Sequence, residues 1–206
     1  MKTHGLVLLL PVLLLPLSAC IGGKSPPAQF YLLEPIQGAA DGRAGGAARP
    51  VVALAPVRMP QYVDRPQMVT ASGKNAYALS ETHRWAERLD DNVARVLAQN
   101  LGLLMPAEVV LSNASGGAGQ AKFKVSVTVL EFHADPQGRA GLVAQWSVAR
   151  GGETVSSRQA SYREPASATD YAAMAGALNE CVNRLSRDVA LDLRRLDGEG
   201  AASNRD

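Results

Sequence analysis

Cysteine is scarce in this chain: two occur among 206 residues, at positions 20 and 181, so a small disulfide-stapled scaffold is excluded and a packed core must hold the fold. Charge of one sign is scarce as well. The 21 Lys and Arg nearly cancel the 19 Asp and Glu, and no basic cluster of the kind that binds nucleic acid stands out. Histidine numbers three, and once His4 is assigned to the N-terminal segment only His83 and His133 remain. They are far apart and belong to no ligand motif, so we expect surface or loop histidines and no metal. GxSxG, HExxH and CxxC are all missing. The glycines at 116, 117 and 119 show neither GxGxxG spacing nor a GK[ST] ending, so they do not form a phosphate cradle. Asp90 and Asp91 fall where a helix should begin, and there their charges suit the helix dipole better than a catalytic pair. No catalytic residue and no cofactor are expected.

No apolar run reaches the roughly 20 residues that span a bilayer as a helix. The run that starts at Leu6 ends at Ala19 and is interrupted by Pro11 and Pro16. With Lys2 before it and small residues after it, it reads as a secretory signal, residues 1–19. Its ending, Leu17-Ser18-Ala19-Cys20, resembles the lipobox of bacterial lipoproteins. That implies a covalent lipid on Cys20, which leaves Cys181 without a disulfide partner. Two or more acyl chains hold a protein on a membrane almost permanently. Ile21 stands where, by the same resemblance, an aspartate would retain the protein in the inner membrane, so the periplasmic face of the outer membrane is expected.

Removing residues 1–19 from the 206 leaves 187, the size of one ordinary domain. Residues 20–28 are rich in Gly, Ser and Pro and read as a lipidated tether. The domain then runs over 29–197, and a polar, flexible tail is expected over 198–206. A short strand is predicted at 30–33, a Gly/Ala loop at 38–48, and a strand covered on both faces at 51–57, where the apolar run is continuous. Pro60 and Pro66 exclude a helix from the connector that follows it. A hairpin is predicted with strands at 67–71 and 76–79 about the turn 72–75.

From Trp85 the apolar period changes to three and four residues, which predicts an amphipathic helix from Trp85 to about residues 100–102. A short strand at 109–111 and a loop at 112–120 should come next. Three antiparallel strands follow. Their alternation shifts phase after Val129, which a bulge or burial of both faces would explain. The third strand is polar enough to face solvent. A second long amphipathic helix, capped near 167–170, carries Tyr171, Met174, Leu178, Cys181, Val182, Leu185, Val189, Leu193 and Leu196, with Cys181 a small core residue on that stripe. The fold class expected is α+β: one largely antiparallel sheet against two amphipathic helices, in a single domain.

The lipobox, Phe30-Tyr31-Leu32-Leu33, the run Val52-x-Leu54-Ala55-Pro56-Val57 with Met59-Pro60-x-Tyr62-x-Asp64-Arg65-Pro66-Gln67-Met68-Val69, and Trp85 with Leu97-Ala98-x-Asn100-Leu101 together resemble the ABC-type transport auxiliary lipoproteins of the PqiC/YmbA kind. The resemblance implies a non-enzymatic component of an intermembrane lipid transport system. Its implied partners are an MCE-domain protein that spans the periplasm, that protein's inner-membrane permease, and further copies of the chain in a homo-oligomeric ring. An envelope-assembly or stress-related adaptor without lipid transport is the alternative. The expected interface is Arg58, Pro60, Tyr62, Asp64, Arg65, Pro66 and Gln67, because Tyr and Arg anchor interfaces and prolines limit the entropy lost on docking.

Overall fold

The computed structural model describes residues 26–38, 49–112 and 120–203. Cys20, the signal segment and the centres of both glycine-containing loops lie outside the described residues. Eight strands and two helices occur in the order β1 (Gln29–Tyr31), β2 (Val51–Leu54), β3 (Gln67–Gly73), β4 (Ala76–Trp85), α1 (Leu89–Leu104), β5 (Glu108–Leu111), β6 (Phe123–Ala134), β7 (Arg139–Arg150), β8 (Glu153–Pro165) and α2 (Tyr171–Ser203). This is the α+β class expected, with both helices against one sheet and against each other. No described helix is long and apolar enough to cross a membrane.

Three long ladders, β3 with β4, β6 with β7 and β7 with β8, are antiparallel, as hairpin turns dictate. Gly151 and Gly152 both take positive φ, 60° and 91°, in the tight turn before β8, a conformation that glycine adopts without strain. The sheet as a whole is mixed, because β1 joins β4, and β2 joins both β5 and β6, in parallel. One edge of β6 carries two strands in succession. Val52 pairs with Phe123, Arg58 bridges to Thr128, and Thr70 of β3 pairs with Ala134. The connector between Arg58 and Gln67 is thus an excursion from an otherwise continuous line of pairing.

Alternation decides what is buried. Phe123, Val125, Val127 and Val129 on β6 and Ala140, Leu142, Ala144, Trp146 and Val148 on β7 are all less than 5% exposed and face the helices. The phase shift after Val129 is a bulge, since Val129 opposes Ala144 and Glu131 opposes Val143, leaving Leu130 unopposed and 39% exposed. Cys181 is fully buried on the α2 stripe, and burial, ahead of the nearby Glu164 charge, pushes its thiol up to about 12. It is a core residue.

Four expectations need correction. Trp85 closes β4 and does not open the helix: its N–H bonds Pro66 O at 2.7 Å and its ring is buried against Phe132. Arg88 then takes φ −57° and ψ 131°, so α1 starts only at Leu89 and runs on to Leu104, beyond the expected end. β4 is correspondingly longer than the segment 76–79 expected. At the other end of the chain, residues 198–203 continue α2 where a flexible tail was expected.

Candidate docking surface

The connector is held from inside. Val63 is buried, its N–H bonds Pro60 O at 3.1 Å to close a turn, and Arg65 N–H bonds Val63 O at 2.8 Å. Arg58 gives its N–H to Val127 O at 3.1 Å and takes that of Val129 at 2.8 Å, which seats the start of the connector on the bulged part of β6. Tyr62 is half-buried. Its hydroxyl accepts from Phe132 N–H at 3.1 Å and hydrogen-bonds His133 Nδ1 at 3.0 Å, and its ring lies 4.8 Å from that of Tyr77. Burial, ahead of the surrounding charges, holds His133 below its ordinary pKa. Burial likewise pushes the Tyr62 hydroxyl up.

The structure therefore divides the seven residues expected at an interface. Tyr62 is spent on covering β6, and Gln67 enters β3. Pro66 gives its carbonyl to Trp85. Asp64 pairs at 3.6 Å with Arg88 and not with its neighbour Arg65. Arg58, Asp64, Arg65 and Pro66 are exposed, and Pro60 is half-buried. Asp64, Arg65 and Pro66 line one side of a cavity of about 390 Å³ whose other side is Trp85, Ala86, Glu87, Arg88 and Leu89. Prolines at 60 and 66 restrict the backbone along this border.

Both histidines sit on strands, not in surface loops as expected. His83 on β4 stacks on Tyr171, with ring centres 4.0 Å apart and planes nearly parallel, and on Tyr31 at 6.0 Å, with Nδ1 3.0 Å from Ser80 Oγ. Among the described residues no group of three His, Cys, Asp or Glu side chains could hold a metal ion.

Two buried polar centres went unrecognised in the sequence. In the first, Asn92 Oδ1 accepts from Leu33 N–H at 2.8 Å and its Nδ2 donates to Leu33 O at 3.1 Å, so one amide side chain acts as a strand partner for the segment that follows β1. Asn100 Oδ1 takes Ile36 N–H at 2.8 Å while its Nδ2 donates to Asn183 Oδ1 and Ser186 Oγ, both at 2.9 Å. Asn179 accepts Glu34 N–H at 2.6 Å. The segment 33–36 that follows β1 is thus clasped by both helices. In the second, the buried Asp192 carboxylate accepts from Ser156 at 2.7 Å, Arg195 at 2.9 Å, Arg158 at 3.2 Å and Trp146 Nε1 at 3.3 Å. Burial raises its pKa, yet these bonds outweigh burial and hold it below the usual carboxylate range. The available signal was an amide or carboxylate at a stripe position, as Asn100 three residues after Leu97.

Residues 31–190 match the family described as ABC-type transport auxiliary lipoprotein component. The chain belongs to this family. The Escherichia coli (strain K12) protein named Intermembrane transport lipoprotein PqiC is 25% identical over 139 residues, which cover 68% of this chain and 72% of that relative. A protein of the same name from Shigella flexneri matches to the same extent. Among solved structures, a protein from Xanthomonas campestris superposes with a TM-score of 0.64 at 16% identity, over 83% of this chain and 99% of that one. A crystal structure of an uncharacterized protein gives 0.68 at 19% identity, over 82% and 99%. These two likenesses establish the fold, and the family match establishes a transport auxiliary lipoprotein.

Proposed function

We propose that the chain is a non-catalytic component of an MCE-type intermembrane lipid transport system, anchored by acylated Cys20 on the periplasmic face of the outer membrane. In this reading it assembles into a ring of its own copies and docks an MCE-domain protein that reaches across the periplasm from its inner-membrane permease. The observation that carries the proposal is the family membership together with a relative named as an intermembrane transport lipoprotein. Two structural features favour it. A subunit that links a membrane anchor to a periplasm-spanning partner must transmit tension, and the amides of Asn92, Asn100 and Asn179 tie the first residues after the tether to both helices. A docking border should also be preformed, and the connector is held by Val63, Tyr62 and two prolines with Arg58 and Arg65 left outside.

The test uses charge reversal of the exposed arginines, since truncating Tyr62 would also strip the Phe132 N–H of its partner. Full-length Arg58→Glu/Arg65→Glu and wild-type chains are extracted from membranes, sized by light scattering and used to capture the MCE-domain protein. The variant is expected to melt like wild type and lose at least about tenfold in partner capture or ring formation, the scale of one or two interface anchors. Unchanged assembly and capture would remove the connector from the docking surface. Capture of no MCE-domain protein by wild type would favour the adaptor without lipid transport. Independently, the Cys20→Ala chain should leave the membrane fraction as a folded domain, and its retention there in high salt would refute the anchor.

A further inference from the structure

From Phe30 on β1 through Leu33 just beyond it, outward and inward side chains alternate as on a half-covered strand, but the two outward ones are apolar. Tyr31 is half-buried and Leu33 fully buried, whereas Phe30 is 62% and Leu32 47% exposed. Phe30 has Arg84 as its register partner on β4, and Arg84 is in turn the partner of Gln67 on β3, so these three share the outer face of the sheet. The corner therefore combines a wedge of two large apolar side chains with the neighbouring Arg84 guanidinium, a pairing suited to a layer of lipid headgroups.

The position of the corner decides what covers it. Phe30 is the tenth residue after Cys20. A Gly- and Pro-containing coil of that length averages roughly 18 Å from end to end and cannot exceed about 35 Å even when extended. An acylated Cys20 thus holds β1 on average about 18 Å, and never more than about 35 Å, from the membrane surface, at a high effective concentration. We infer that Phe30 and Leu32 insert into the phospholipid surface in which Cys20 is anchored, with the Arg84 guanidinium against anionic headgroups. This fixes which face of the domain lies on the membrane. It rests on the lipidation of Cys20, and it adds a second, non-covalent contact that the anchor by itself does not require.

The experiment places an environment-sensitive fluorophore on the lipidated full-length protein through Leu32→Cys, through Phe30→Cys as a second site, or through Ser157→Cys on exposed β8 as the reference; Cys181 is fully buried and stays unlabelled. The protein is reconstituted in vesicles of phosphatidylethanolamine with about one part in four of phosphatidylglycerol, floated to prove association, and exposed to lipid-borne spin labels. Labels at 30 and 32 are expected to shift to the blue and to be quenched about threefold or more relative to the label at 157. Protein that floats but leaves the labels at 30 and 32 unquenched overturns the inference and spares the anchor. A blue shift without lipid quenching overturns it as well, because a protein surface then covers β1. Protein that does not float overturns both.

Discussion

The two buried polar centres hold the same domain together by different chemistry. The one around Asn92 and Asn100 is neutral, and its amides bond the backbone of 33–36, a segment with only a three-residue strand to secure it. The one around Asp192 is charged, and joins α2 to Trp146 on β7 and to Ser156 and Arg158 on β8, strands already joined along their length. Amides supply donor and acceptor together and leave no charge to desolvate, so they suit a segment that must be gripped regardless of pH. A carboxylate serves where several donors converge, and its arginines keep half their surface in water, so the desolvation penalty falls mainly on Asp192.

Removing each centre should separate the two designs. Asp192→Ala strands Trp146 Nε1 in a buried site and unpairs two arginines, which should cost about 3 kcal/mol in urea unfolding; a value under about 1 kcal/mol would mean that water replaces the carboxylate. Asn100→Ala orphans Ile36 N–H and two partners on α2, and should cost about 2 kcal/mol, with Ile36 amide exchange accelerated more than any amide of β7. Uniform acceleration would show that the clasp is not local.

Acid should tell the centres apart next. The Asp192 pKa is lower in the folded chain than in the unfolded one, so its contribution is complete above the ordinary carboxylate pKa of about 4 and is lost as pH falls through the lower folded value. Wild type and Asn100→Ala should therefore lose stability together below about pH 4, while Asp192→Asn should lose less. Parallel curves for all three would assign the acid sensitivity elsewhere. The smallest effect is expected at neither centre: Cys181→Ser places a hydroxyl beside Ala140 O, now 3.9 Å from Sγ, and should cost about 1 to 2 kcal/mol in a thermal melt without altering function. Loss of function at unchanged stability would instead mark a working thiol.

Much of the connector between Arg58 and Gln67 was legible for the reason that makes it stiff. Pro60 and Pro66 exclude a helix from sequence alone, and the turn closed by Val63 N–H to Pro60 O is what that exclusion leads to. What could not be read was where Tyr62 points, since that depends on Phe132 and His133, 70 and 71 residues away. The same holds for Asn92, whose spacing to Val96 fits the apolar stripe of α1 but whose partner, Leu33, lies 59 residues back.

The sequence by itself determined the kind of each element, because period two or three to four, a proline or a paired glycine acts within a few residues; the α+β class, the meander turns and the phase shift after Val129 all follow from such local patterns, and the pairing with β7 makes that shift a bulge. Only the tertiary structure decided which strands meet and where α1 begins. Trp85 and Leu89 are four residues apart, a spacing that suits a helix, but Trp85 is claimed by Pro66 O and by the ring of Phe132. Likewise β2 and β3 share one edge of β6 because burying Val52, Leu54, Met68 and Val69 there satisfies both strands, a choice made by surfaces that meet only after the chain has closed on itself.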